Sequence, residues 1–157
     1  MSNILVQNIK HTNNTTAQTI DTSGRTTVSI MNNDSTYRSD GGAVTQNLVQ
    51  GVAKSWMNFD GTGTASIRDS LNVSSLSDNS TGQYYQNYTN NMNAVDYPGT
   101  GNAGKSAGSH TEDNSGYQNL SEISGLSTST RTVFINKVSG AFVDRDHVTC
   151  LVHGDLA

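Results

Sequence analysis

Residues 52–97 read VAKSWMNFDGTGTASIRDSLNVSSLSDNSTGQYYQNYTNNMNAVDY, and this stretch decides the fold class. It contains an alternating segment around Trp56, a Gly/Thr turn, two short strand-like runs and a Tyr-rich run that follows Thr81 and Gly82. Short runs of this kind, separated by Gly, Asn, Asp and Ser turns, are typical of an antiparallel β-meander. No catalytic motif in the chain carries a signal of comparable strength.

The strand pattern continues toward the C-terminus. We predict strands at 53–59, 66–72, 76–78, 83–88, 131–138 and 147–152, with turns at 60–61, 80–82, 139–140 and Gly154. Residues 43–49 fit either a short helix or a first strand. No segment has the amphipathic helical pattern that a βαβ unit needs. The sequence therefore predicts a mainly β fold, an antiparallel β-sandwich of jelly-roll-like type with a short N-terminal β arm.

The chain divides into an arm with a linker, residues 1–42, and a β-sandwich domain, residues 43–157. The arm has strand-forming runs at 4–9, 17–21 and 25–30, with a tight turn at Ser23-Gly24, and a polar linker follows at 31–42. Short strands of this kind are marginal in isolation. We therefore expect the arm to contact other copies of the chain or other proteins.

Composition excludes several classes of function. Ser, Thr and Asn supply 57 of the 157 residues, and charged residues make up 14%, about half the average for soluble domains. The net charge is −4 and the nine Lys and Arg residues form no cluster, which argues against nucleic-acid binding. No apolar run is long enough to insert into a membrane, and no signal-peptide pattern opens the chain. We expect a soluble protein made in a cytoplasm.

Residues 96–130 hold six of the 15 glycines and predict a long, variable, partner-facing loop. Within it, residues 99–106 read GTGNAGKS and match the phosphate-binding loop pattern of nucleotide hydrolases, with Lys105 in the phosphate-binding position. That chemistry requires a buried strand before the loop and a helix after it. Pro98 directly precedes the first glycine and Gly108 opens the following segment, so the context favours a chance match.

The remaining polar residues predict no catalytic, cofactor or metal site. The histidines are dispersed, and His147 and His153 with Asp144 or Asp146 would still make an incomplete metal site. The segments that begin at Asp60 and Asp78 lack calcium-loop spacing and fit turn chemistry instead. Cys150 is the single cysteine and alternates with Val148 and Val152, which indicates a buried thiol. We predict a protein that is not an enzyme.

Aromatic and strand residues supply the candidate core and the candidate binding surface. Tyr84 and Tyr88 share one strand face with Gln86, while Tyr85 shares the other face with Asn87. Exposed tyrosines beside amides often bind sugars or proteins. The candidate partner surface consists of Tyr84, Tyr88, Tyr97, His110 and Tyr117. The candidate core consists of Trp56, Phe59, Val148, Cys150 and Val152.

Three blocks of the chain resemble a module of bacteriophage tail-fibre and virion structural proteins, especially those of marine phages. The arm, with its HTNNTTA loop at 11–17 and its TIDTSGR turn at 19–25, is one block. The second block is AKSWMNFDGTGTASIRDSLNVSSLSDNSTGQY at 53–84. The third comprises VFINKVSG at 133–140 and VTCLVHGDL at 148–156, which resemble the closing strands of the module.

This resemblance implies a bacteriophage virion structural protein, a short tail fibre or fibre module that contacts the host surface. It implies a homotrimer, attached through the arm to other virion proteins and binding a host surface glycan or protein. The protein would be made in the host cytoplasm and located in the virion. A capsid decoration or fibre protein on the viral shell is the alternative, and a P-loop nucleotide-binding protein is the remote one.

Overall fold

The computed structural model describes residues 8–10, 16–28, 30–31, 35–38, 45–104, 126–137 and 140–157. These residues form strands and contain no helix, and the chain has a mainly β fold, as predicted. Among them, no helix is long and apolar enough to cross a membrane. The strands are β1 Asn8–Lys10, β2 Thr16–Ile20, β3 Thr26–Val28, β4 Thr36–Arg38, β5 Thr45–Asn47, β6 Ser55–Asp60, β7 Ser66–Leu71, β8 Val73–Ser80, β9 Gln83–Tyr88, β10 Gly99–Gly104, β11 Thr130–Phe134 and β12 His147–Val152.

The chain separates into two compact units, Met1–Val49 and Gln50–Ala157. In the first unit, β1, β2 and β3 form one antiparallel sheet and β4 pairs with β5. Residues 45–47, which we assigned to the main domain, therefore pair within the first unit as a strand. The predicted run at 4–9 is described only from Asn8 onward.

The predicted turn at Ser23-Gly24 forms and has a local cause. Asp21 Oδ1 accepts hydrogen bonds from the backbone N–H groups of Ser23 and Arg25, each at 2.9 Å, and Gly24 has a φ of 77°. A carboxylate that bonds the backbone just after itself stabilises a turn, and glycine adopts positive φ without a steric penalty. These bonds, led by that from the Arg25 backbone, lower the pKa of Asp21.

The second unit contains two antiparallel sheets. Their strand orders are β10-β12-β6-β7 and β11-β9-β8. The chain leaves the first sheet after β7 and enters the second at β8 through Asn72, the one described non-glycine residue with positive φ, at 55°. Asparagine tolerates this conformation because its side chain can bond locally. Here Asn72 Oδ1 accepts the Asn90 backbone N–H at 2.7 Å, which joins this turn to the segment after β9.

Side chains from both sheets share one core. Its cluster of buried residues comprises Met57, Phe59, Tyr84, Val133, Ile135, Val148 and Cys150. Phe59 of β6 and Tyr84 of β9 pack edge to face with ring centroids 5.0 Å apart. A second cluster comprises Tyr88, Met92, Tyr97 and Val152. A buried hydrogen bond from Gln86 Nε2 to Ser55 Oγ, 2.8 Å long, also links β9 to β6. The sandwich and jelly-roll arrangement itself stays a prediction.

Four of the five predicted core residues are buried, and Trp56 is the exception. Phe59, Val148, Cys150 and Val152 are buried. Trp56, however, is only partly buried and lies on the opposite face of β6, because side chains alternate along a strand and Ser55, Met57 and Phe59 take the inner face. Trp56 and Phe59 are an odd number of residues apart, so a regular strand cannot place both inside. Met57 occupies the core position that we had given to Trp56.

The predicted glycine-rich loop is partly wrong, because Gly99–Gly104 is a strand. Strand β10 pairs with β12 through six residues, from Gly99 opposite Val152 to Gly104 opposite His147. A β-carbon at Gly99 would collide with the guanidinium of the buried Arg131. Glycine at this position therefore lets β10 pass close to that side chain without displacing it, although glycine has a low strand propensity.

Candidate functional site

The structure corrects the predicted partner surface. Tyr84 and Tyr88 are buried, with 0% and 5% of their surface exposed, and Tyr97 is buried at 7%. The alternation along β9 was predicted correctly, but its inner and outer faces were exchanged, so Tyr85 is the exposed tyrosine of this strand. His110 and Tyr117 lie outside the described residues.

The hydroxyl of Tyr84 has a structural role in the interior. It lies 2.6 Å from Asp144 Oδ1 and 2.7 Å from the Gly61 carbonyl oxygen, either of which can accept its proton. Asp144 Oδ1 also accepts the backbone N–H of Gly82 at 2.7 Å. Burial, followed by the bond to Asp144, raises the pKa of Tyr84. The Tyr84 hydroxyl therefore lies between the turn at Gly61 and Asp144, and Asp144 itself bonds the turn at Gly82.

A pair of conservative variants tests this role. Tyr84→Phe should lower the free energy of unfolding by about 1–3 kcal/mol, because it removes the buried O–H group that donates to the Gly61 carbonyl oxygen or to Asp144 Oδ1. Tyr85→Phe on the outer face of the same strand should change it by less than about 0.5 kcal/mol. Urea titrations followed by circular dichroism measure both values. Equal effects of the two substitutions would contradict the assigned faces.

A phosphate-binding site at residues 99–106 would require a loop that begins at Gly99, and the structure has a strand there instead. Residues Gly99–Gly104 are extended, and the ladder with β12 orders their backbone. A phosphate cradle needs consecutive backbone N–H groups converging on one point in a loop. Lys105 and Ser106 lie outside the described residues. The loop geometry of a nucleotide site is thus not formed at Gly99–Gly104.

Asp60 has a structural role in a turn and in an ion pair. Asp60 Oδ1 accepts hydrogen bonds from the backbone N–H and the hydroxyl of Thr62, at 2.9 and 2.7 Å, which lower the pKa of Asp60. Arg68 forms an ion pair with Asp60 at 2.9 Å and donates to the Phe59 and Asp146 carbonyl oxygens. Within the described ranges, no three His, Cys, Asp or Glu side chains are grouped as metal ligands would be.

The best candidate for a binding site lies on the outer face of the sheet β10-β12-β6-β7. A groove of about 390 Å³ crosses three of these strands. We call it the Trp56 groove. It is lined by Trp56, Met57, Asn58, Thr100, Gly101, Asn102, Thr149, Cys150 and Leu151. Met57 and Cys150 point their side chains into the core, so they contribute the floor of the groove.

Strand register places the side chains of this face in two parallel rows. One row is Thr100, Leu151, Trp56 and Leu71, which are successive cross-strand partners. The other row is Asn102, Thr149, Asn58 and Asp69, which are also successive partners. Rows two residues apart along a strand are separated by roughly 7 Å. The groove therefore runs between a mostly apolar row and a polar row.

The groove has polar groups that the protein itself does not use. Asn58 Oδ1 is buried and has no hydrogen-bond partner. Among the described residues, no atom accepts a hydrogen bond from the Trp56 indole N–H, which can therefore donate to a ligand. All nine lining residues are uncharged. Groups of this kind suit a neutral ligand that offers both hydroxyl groups and an apolar surface.

A second hollow, about 190 Å³ in volume, lies in the same unit. It is lined by Gln50, Asn93, Ala94, Asp96, Tyr97, Pro98, Gly154 and Asp155. Its Asp155 carboxylate already accepts a hydrogen bond from the Gln50 amide. The hollow has about half the volume of the Trp56 groove, and two of its polar side chains, Gln50 and Asp155, already bond each other, so the Trp56 groove is the stronger candidate.

Sequence reasoning did not find the Trp56 groove, although part of its signal was present. The alternation in HVTCLV that buries Val148, Cys150 and Val152 also turns Thr149 and Leu151 outward. Thr100 and Asn102 were missed because they belong to the unrecognised strand β10. Comparison with known proteins gives no further guide, since no family model, curated protein or solved structure matches the chain.

Proposed function

We propose that the chain is a non-enzymatic structural protein of a bacteriophage virion, a short tail fibre or fibre module that binds the host surface. The observation that carries the proposal is the Trp56 groove, an open, uncharged groove on the outer face of an otherwise well-packed β unit. Sites with a few polar groups beside an aromatic side chain are typical of recognition. The proposed sandwich arrangement would hold this face rigidly while the edges and loops contact neighbouring chains.

The first unit supports a role in assembly. Strands β1, β3 and β4 have three residues each, and all of these residues are exposed. Ile9, Val28 and Tyr37 are 49%, 51% and 56% exposed, and Ile30 reaches 87%. Both clusters of buried apolar residues lie in the second unit. Exposed apolar side chains on short strands favour burial against other chains. In this proposal they form the contacts of a homotrimer and its attachment to other virion proteins.

Removing residues 1–49 tests the assembly role. Gln50–Ala157 contains both core clusters, so we expect it to remain folded and to become monomeric, while the full chain is trimeric. Light scattering coupled to size-exclusion chromatography measures the mass of each form. If the full chain is monomeric, or if the truncated chain is still trimeric, residues 1–49 do not form the assembly interface.

Adsorption assays test the attachment role. Purified full-length protein should compete with phage particles for host cells and lower the number of adsorbed particles. Antibodies against the chain, imaged on intact particles by electron microscopy, should label the tail. Label confined to the shell would support capsid decoration instead, and the absence of both label and competition would refute the proposal.

A further inference from the structure

We infer that the Trp56 groove binds a neutral saccharide, and this inference rests on the proposed attachment role. The first argument is the chemistry of the two rows. A pyranose ring has a face of C–H groups and a rim of hydroxyl groups. Trp56 and Leu151 offer an apolar surface to the C–H face of the sugar. The amide and hydroxyl side chains of Asn58, Asn102 and Thr149 can donate hydrogen bonds to the sugar hydroxyl groups and accept hydrogen bonds from them.

The second argument is charge. The lining contains no Lys, Arg, His, Asp or Glu, so nothing in it would pair with a phosphate, sulfate or carboxylate group. Anion sites usually have Arg, Lys or converging backbone N–H groups, and here the adjacent backbone is engaged in the β-ladder between β10, β12 and β6. The lining therefore discriminates against anionic polysaccharides and favours uncharged sugar units.

The third argument is the unsatisfied carbonyl of Asn58. A buried amide oxygen without a donor costs free energy, and natural proteins leave few such atoms unexplained. Asn58 lies in the middle of the polar row, directly opposite Thr149. Because this oxygen has almost no accessible surface, a ligand hydroxyl would donate to it only after the Asn58 side chain turns toward the groove, and that turn would make Asn58 a specificity contact. The volume of about 390 Å³ is within the range of small-ligand sites and would hold one or two sugar rings.

Trp56 is the single tryptophan of the chain, so its fluorescence reports directly on the groove. We would titrate the full-length protein with oligosaccharides built of neutral hexoses, of N-acetylhexosamines and of uronic acids. The expected result is a saturable change in Trp56 emission with at least one neutral series and none with the uronic acid series. A response to the uronic acid series alone, or to none of the three, would overturn the inference.

Variants localise the site, with binding measured by calorimetry because Trp56→Ala removes the fluorophore. Trp56→Ala should lower the affinity for the saccharide that gives the fluorescence response by at least about tenfold. Asn102→Ala should lower this affinity by several-fold without altering the core. Tyr85→Ala, an outward aromatic on the other sheet, is the matched control and should retain the original affinity. Unchanged affinity in both Trp56→Ala and Asn102→Ala would place the sugar elsewhere and contradict the inference.

The two proposals fail in different ways. If the protein blocks phage adsorption but binds no saccharide, the attachment role stands and the ligand class is wrong. If it binds a neutral saccharide in the Trp56 groove but does not block adsorption, the site stands and the attachment role is wrong.

Discussion

Phe59→Ala should lower the free energy of unfolding by about 3–5 kcal/mol, the usual cost of truncating a fully buried phenylalanine. Phe59 has no exposed surface and packs against Tyr84 at a centroid distance of 5.0 Å. Its loss would leave a cavity between the two sheets at a position where both contribute side chains. Because domains of this size are stable by about 5–15 kcal/mol, the variant would be close to unfolding at physiological temperature.

Phe142→Ala is the matched control, since it removes the same side chain from a position that is 42% exposed. We expect it to cost about 1 kcal/mol or less. Urea titrations of the two variants and the original chain, followed by circular dichroism, give the difference. Similar costs for the two positions would show that the core described for the second unit is misplaced.

The second large effect is a loss of stability at alkaline pH. Burial raises the pKa values of Tyr84, Tyr88 and Tyr97, so each phenol stays protonated in the folded chain. A group whose pKa is raised by folding makes its full contribution to the stability of the folded chain below its unfolded pKa. For tyrosine the unfolded pKa is about 10, and the contribution is lost as the pH rises above about 10. Between its unfolded and its folded pKa, a tyrosine with a large shift contributes a slope of up to about 1.4 kcal/mol per pH unit, so Tyr84 and Tyr88 together should give up to about 3 kcal/mol per pH unit, and Tyr97 acts in the same direction.

Urea titrations at several pH values between about 9 and 11 measure this slope, and phenolate absorbance shows whether ionisation accompanies unfolding. The Tyr84→Phe variant should lose between about a third and about half of the slope, while Tyr85→Phe should keep it, since Tyr85 is outward-facing. Ionisation of all six tyrosines near pH 10 with the fold intact would contradict the burial of these three.

The sequence predicted the strands that have strong alternation of large side chains. Strands β9 and β12 begin and end where the pattern places them, at Gln83–Tyr88 and His147–Val152. Alternation defines two faces but does not tell which one is buried, and this is why Tyr84 and Tyr88 were assigned to the surface. The deciding contact, from the Tyr84 hydroxyl to Asp144, joins residues 60 positions apart in the chain.

Other features depend on contacts that local pattern does not contain. Apart from Thr100, strand β10 consists of residues with low strand propensity, and it forms because β12 supplies its hydrogen-bond partners. The Trp56 groove depends on the register between β10, β12 and β6, which brings Thr100 and Leu151 beside Trp56. In contrast, the outward position of Trp56 was available from its odd spacing to Phe59, and the preference for a large aromatic residue in the core obscured it.

The most direct test is adsorption competition by two variants, each of which lacks one outward aromatic side chain. One variant lacks that of Tyr85 on the sheet β11-β9-β8, and the other lacks that of Trp56 on the sheet β10-β12-β6-β7. Tyr85→Ala should block phage adsorption as well as the original protein does, and Trp56→Ala, shown to be folded by circular dichroism, should have lost most of this activity. If Trp56→Ala blocks adsorption as strongly as Tyr85→Ala, the outer face of the sheet β10-β12-β6-β7 is not the surface that binds the host.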